Sequence, residues 1–276
     1  MSLRILQAKA RDGAAWVSRA FALFFKRPIA FSALFSLFLF ACVALLALPY
    51  IGAVLVLIAW PLLSLAFMIA ALAAQGGQAV HAGQLIEPLR AVNPGEVARR
   101  RTLLTLCGLF ALTNALAMLA GDALDGGAFE RLQVLMMSSR NDATQTEIAA
   151  LLAEPKLRMA LTLRSAGISL LALVFWHAPA LVWWQGQGVA QALFSSTLAC
   201  WRNRGAFLVY GLAWAFTLMV FGLVTGLLFA LMGVPQLALV AAVPAALLFS
   251  TVFYVSLLLT YQGCFGSGES IESRVA

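Results

Sequence analysis

Four stretches of this chain contain no Asp, Glu, Lys or Arg: residues 28–86, 102–121, 165–201 and 205–268, of 59, 20, 37 and 64 residues. A charged side chain at the middle of a bilayer costs about 2.5–3.5 kcal/mol even on the lenient insertion scale. Long uncharged stretches therefore mark the hydrocarbon layer. A soluble fold would carry about a quarter of its residues as charges; this chain carries 11%, with 63% apolar residues. That leaves too little polar material for a water-facing shell. The chain reads as an all-α, polytopic transmembrane helical bundle, one integral membrane domain over 1–276.

About 20 helical residues cross the hydrocarbon core. The uncharged stretches therefore predict six spans, near 29–48, 52–74, 103–120, 166–184, 206–231 and 236–260. The first pair is divided at Leu48-Pro49-Tyr50-Ile51-Gly52 and the last pair at Gly233-Val234-Pro235, where Gly and Pro are natural breakers. Pro61 and Pro244 fall inside spans and are expected to kink them. The first apolar run starts only after Arg27 and has span length, which does not fit a cleavable signal peptide.

Orientation follows from the basic residues. With the N-terminus inside, thirteen Lys and Arg lie on inner segments, among them Lys26, Arg27, Arg99, Arg100, Arg101, Arg202 and Arg204. Five lie outside: Arg131, Arg140, Lys156, Arg158 and Arg164. The positive-inside rule then expects both termini in the cytoplasm. The net charge of +7 reads as these topology charges. No basic stripe with interleaved aromatics suggests nucleic acid, and none is expected as a partner.

Two inner segments read as amphipathic interfacial helices. In the first, Trp16, Val17, Ala20, Phe21 and Phe24 share a face that excludes Arg19. In the second, Ala190, Leu193, Phe194, Leu198 and Trp201 form a stripe, with Gln191, Ser195 and Ser196 off it. Each leads into a basic turn and then two spans, so 14–74 and 189–262 are candidate duplicated units in parallel arrangement. Lys26, Arg27, Arg202 and Arg204 are the candidate contacts for lipid headgroups. Residues 121–165 form the one sizeable extracytoplasmic segment. There Phe129, Leu132, Leu135 and Met136 recur at helical spacing, Thr144-x-x-Glu147 reads as a capping box, and Pro155 fits the first turn of a helix.

Candidates for chemistry are few. His177 is the ionisable group nearest a span interior, and Asn114 in the third span is its candidate partner. No nucleophile, zinc or phosphate-loop motif occurs. No catalytic residue, metal or cofactor is assigned. Cys42, Cys107, Cys200 and Cys264 form no C-x-x-C pair and read as reduced buried residues. Gly211, Gly222 and Gly226 offer close helix packing, and Gly222-x-x-x-Gly226 is a small-xxx-small pair that suits a homo-oligomer.

The segment from Trp16 to Pro28, the run Phe175-Trp176-x-Ala178-Pro179-Ala180-Leu181-Val182, and Ala192-Leu193-Phe194 through Cys200-Trp201-Arg202-Asn203 to Phe207-Leu208-Val209-Tyr210-Gly211 carry a resemblance. In these the chain resembles a family of bacterial six-span inner-membrane proteins of unknown function, mainly betaproteobacterial. The resemblance covers most of the chain. It implies a bacterial inner-membrane protein with no catalytic residues to carry over. Three functions stay open: a noncatalytic protein that supports envelope organisation through lipid or protein contacts, a transporter or permease component for a neutral or amphiphilic solute, and a lipid-modifying enzyme built around His177.

Overall fold

The computed structural model describes residues 5–90, 93–137, 142–234 and 236–266. Its helices in chain order are α1 (Asp12–Lys26), α2 (Pro28–Leu46), α3 (Gly52–Gln75), α4 (Pro94–Asp125), α5 (Ala128–Met137), α6 (Asp142–Ala153), α7 (Pro155–Phe175), α8 (Ala178–Gln185), α9 (Val189–Arg202), α10 (Arg204–Leu231) and α11 (Leu237–Phe265). Short 3-10 turns at Ala82–Leu85 and Glu87–Leu89 join α3 to α4. No strand occurs among the described residues. Six helical stretches are long and apolar enough to cross a membrane: α2, α3, α4, α7 with α8, α10 and α11. The expected six spans are therefore present. Arg4, Arg140, Pro235 and Arg274, and the side chain of Thr144, lie outside the described residues.

Local chemistry explains most helix ends. Pro28, Pro94 and Pro155 each open a helix in the first turn, where a missing N–H is harmless. Asn93 and Glu96 form a capping box at the start of α4, which satisfies two orphan donors. This start lies nine residues before the expected one, so Arg99, Arg100 and Arg101 are on the helix. Helix α6 begins at Asp142, ahead of the expected cap at Thr144. Helices α3 and α11 continue through Pro61 and Pro244. At the α2–α3 turn the left-handed residue is Tyr50, at φ +65° and 99% exposed. An aromatic ring at that place suits the headgroup belt.

The core is continuous through the span bundle. Helix α3 packs on α2, α4 and α11, and α4 packs on α7. Helix α1 lays Trp16, Val17, Ala20 and Phe24, joined by Leu23, against α10 and α11. Its apolar face is thus covered by protein. Trp16 meets Phe207 and Tyr210, and about one and a half turns on Phe21 meets Trp214 and Phe249, so α1 runs alongside α10.

A small second core joins α5, α6 and α7 through Ala128, Leu132, Leu151 and Leu157. Phe129 and Leu135 pack on it, whereas Met136 is exposed. Arg164 fastens this cap to α4 through Asp122 (2.7 Å) and Asp125 (2.6 Å), with its guanidinium 4.3 Å over the Phe129 ring.

Candidate functional site

The expected fourth span is interrupted at Trp176–His177, between α7 and α8. Pro179, in the first turn of α8, has no N–H and would crowd the carbonyl four residues earlier. A break inside a membrane frees backbone polar groups that water cannot satisfy. Helix α9 satisfies them. The His177 N–H donates to Ser196 Oγ (3.0 Å), and Ser196 Oγ donates to the Leu173 carbonyl (3.4 Å). The Ser196 side of α9, read from sequence as its wet side, therefore faces protein. Ala192, Ser195, Ser196, Ala199 and Cys200 are buried, whereas Phe194 and Trp201 on the apolar stripe are 68% and 67% exposed.

His177 is fully buried. Its Nε2 lies 3.2 Å from Thr260 Oγ1, which also accepts from Trp176 Nε1 (3.1 Å) and donates to the Leu257 carbonyl (2.8 Å). If the Thr260 proton goes to Leu257, His177 is the Nε2–H tautomer. Its hydrogen-bond partners are thus Thr260 and Ser196 in place of the expected Asn114. Asn114 donates to the Phe110 carbonyl of its own helix (2.8 Å). Thr260→Val leaves two buried N–H groups without an acceptor, each costing about 1–3 kcal/mol. A fall in the melting temperature in detergent is expected, larger than for Thr217→Val, whose hydroxyl bonds only its own helix; equal falls would refute the bridging role of Thr260.

The basic candidates lie on two turns. Lys26 is exposed at the end of α1, and Arg27 donates to the Gly77 carbonyl at the end of α3 (2.8 Å). Arg202 and Arg204 are exposed, and the Arg204 guanidinium lies 5.4 Å from the Trp201 ring centre. Between these two, Asn203 is 2% exposed. Its Oδ1 accepts from the Ala8 N–H (2.7 Å), and its Nδ2 donates to the carbonyls of Leu6 (3.1 Å) and Ala199 (3.0 Å). The Leu6 N–H donates to the Cys264 carbonyl (2.8 Å). Asn203 thus clasps the N-terminal segment to the α9–α10 turn. Sequence reading passed over it as part of a basic turn; an amide beside two arginines gave no signal that it is buried.

All four cysteines are free and buried. Burial pushes the Cys200 thiol up, and nearby Cys264 adds to this.

Two cavities are large enough to hold ligands. One of about 690 Å³ lies at the end of α3 and is lined by Gln78, His81, Gln84, Glu87, Trp183 and Trp184. Partial burial raises the Glu87 carboxyl, an effect His81 partly offsets. The second, about 1090 Å³, lies within the spans and is bounded by α2, α3, the end of α7, α10 and α11. It shares Trp60, Trp176, Phe253 and Tyr254 with a smaller cavity that reaches Phe110 on α4. Both are mainly apolar, and these four side chains stand between or beside them.

A probable inner membrane protein of Burkholderia thailandensis is 32% identical over 274 residues, spanning 97% of this chain and 96% of that protein. No protein-family model matches the chain, and no solved structure matches it.

Proposed function

This chain belongs to the family of that probable inner membrane protein, and from this premise we propose that it works without catalysis, supporting envelope organisation through contacts with lipids and a membrane partner. The observation that carries this reading is the outward edge of α9. Its apolar residues Phe194 and Trp201 are turned away from the protein beside exposed Arg202 and Arg204. An exposed aromatic and basic edge suits the boundary between acyl chains and anionic headgroups. Each basic residue near such a surface adds about 1 kcal/mol of attraction.

The test is native mass spectrometry of protein extracted in polymer discs from membranes containing phosphatidylglycerol and phosphatidylethanolamine. Wild type is expected to retain the anionic lipid preferentially, and Arg202→Gln/Arg204→Gln to lose roughly thirtyfold of that preference, from about 1 kcal/mol for each charge. An unchanged lipid ratio would remove the edge from the argument. The basic count supports both termini in the cytoplasm. A fluorescent-protein fusion at the C-terminus is then expected to fluoresce, and an alkaline phosphatase fusion there to be inactive.

The intramembrane cleft favours a second reading, a transporter component for a neutral or amphiphilic solute. Solute flux by the purified protein in liposomes would support it over the first.

A further inference from the structure

The cavity at the end of α3 changes character with depth. Ile69, Leu72 and Ala73, on the last turns of the span, line its apolar part, and Gln78, His81 and Glu87, beyond the span, line its polar part. Its volume of about 690 Å³ lies within the ~300–1,000 Å³ range of ligand sites. Gln84 fixes the polar wall: its Oε1 accepts from the His81 N–H (3.1 Å) and its Nε2 donates to the Ala79 carbonyl (3.3 Å). Glu87 is the one carboxylate among the lining residues, and no Lys or Arg is among them. The ion pairs among the described residues are those of Arg164 with Asp122 and Asp125, so Glu87 is left without one. A partly buried carboxylate with no cation paired to it favours a ligand that brings one.

The opposite charge stands at the rim. Arg27 donates to the Gly77 carbonyl (2.8 Å), next to lining Gly76, and Arg99 donates to the carbonyl of Trp183 (3.4 Å), which itself lines the cavity. A guanidinium has five N–H donors, and each of these arginines uses one on the protein, which leaves donors for a phosphate. Trp183 and Trp184 line the same cavity; indoles attract cations through their faces and sit at headgroup level in a membrane. A molecule that offers a cation to the carboxylate, a phosphate to the rim and a chain to the apolar wall is a zwitterionic phospholipid. An ethanolamine ammonium has N–H groups that a carboxylate accepts in charge-assisted hydrogen bonds, and a choline has none. We propose that the cavity binds the headgroup of an ethanolamine phospholipid, its ammonium at Glu87, its phosphate at Arg99 and Arg27, and its acyl chains leaving past Leu72 and Ala73. None of these residues belongs to the outward edge of α9, so this site does not depend on the lipid contacts proposed there.

The probes are dioleoylphosphatidylethanolamine and dioleoylphosphatidylcholine, equimolar in nanodiscs, with the retained lipid read by native mass spectrometry. Wild type is expected to hold one ethanolamine lipid per protomer in preference to the choline lipid. The Glu87 side chain makes no hydrogen bond or ion pair with the described residues. Glu87→Gln is therefore expected to keep the melting temperature and to cut the ethanolamine preference roughly tenfold. Arg99→Gln is expected to lower retention of both lipids alike, because they share the phosphate. Arg202→Gln/Arg204→Gln is expected to leave the ethanolamine preference as in wild type. Excess glycerophosphoethanolamine, the headgroup without chains, is expected not to displace the lipid. Equal retention of the two lipids by wild type, an unchanged preference in Glu87→Gln or unchanged retention in Arg99→Gln would each overturn the proposal. So would loss of the preference in Arg202→Gln/Arg204→Gln, which would move the recognition to α9, or displacement by glycerophosphoethanolamine, which would assign the cavity to a water-soluble ligand.

Discussion

Asn203→Leu is expected to destabilise the protein by about 3 kcal/mol and to release its N-terminal segment to protease. The asparagine is buried, and its amide bridges three elements: residues 6–8, the end of α9, and, with Cys264 Sγ 3.5 Å from Nδ2, the end of α11. Leucine is close in size, so packing is nearly preserved. What changes is that the bonds to the half-buried Ala8 N–H, to the carbonyl of exposed Leu6 and to the Ala199 carbonyl are lost, each worth about 1 kcal/mol. The readouts are the melting temperature in detergent and the rate of cleavage at Lys9 or Arg11 by trypsin. Asn203→Asp keeps the acceptor for Ala8 but not the donors, and is expected to fall between. A cleavage rate equal to wild type in Asn203→Leu would show that the segment is held by other contacts.

Gly13→Val is expected to dislodge α1, at a cost of roughly 3 kcal/mol or more. A Cβ at Gly13 would run into the Ala206 carbonyl and the Tyr210 backbone nitrogen. Both belong to the backbone of α10, which cannot yield as a side chain can. Overpacking commonly costs about 1–3 kcal/mol. Here separation of the helices also uncovers Trp16, which packs on Phe207 and Tyr210 and over Gly263. The matched control is Gly222→Ala, where a Cβ would meet nothing within 4 Å. Relief of glycine's helix penalty makes that change neutral or stabilising by up to about 1 kcal/mol. Melting temperatures of the two variants, measured side by side, are expected to move in opposite directions or to differ by several degrees. Similar losses in both would refute the backbone contact.

These glycines also show where sequence reading stops. Gly222-x-x-x-Gly226 has the spacing of a helix-packing motif, yet within the protomer neither glycine approaches another element. Gly13, Gly121 and Gly263, which do lie against a neighbouring helix, carry no such spacing. A motif states that a surface is small; it does not state which surface is turned inward. The amphipathic helices make the same point. Both α1 and α9 were legible from the spacing of their apolar residues, yet α1 turns that stripe onto protein and α9 turns Phe194 and Trp201 outward. Amphipathicity specifies two faces, and the neighbours decide what covers each. For α9 the deciding neighbour is the break at Trp176–His177, whose free N–H needs Ser196.

The sequence by itself determined the membrane character and the number and rough limits of the spans, because charge is excluded from hydrocarbon whatever the tertiary arrangement. It determined several helix starts as well, because Pro28, Pro94 and Pro155 act through their own rings. It also pointed to His177 as unusual. Only the tertiary structure decided that His177 pairs with Thr260 and Ser196, 83 and 19 residues away, that Asn203 is a clasp, and that α2, α3, α7, α10 and α11 leave a cleft between them. Those outcomes depend on which helices meet, and packing between uniformly apolar helices is set by shape and by a few polar groups. Hydropathy, the strongest signal in this chain, does not vary with either.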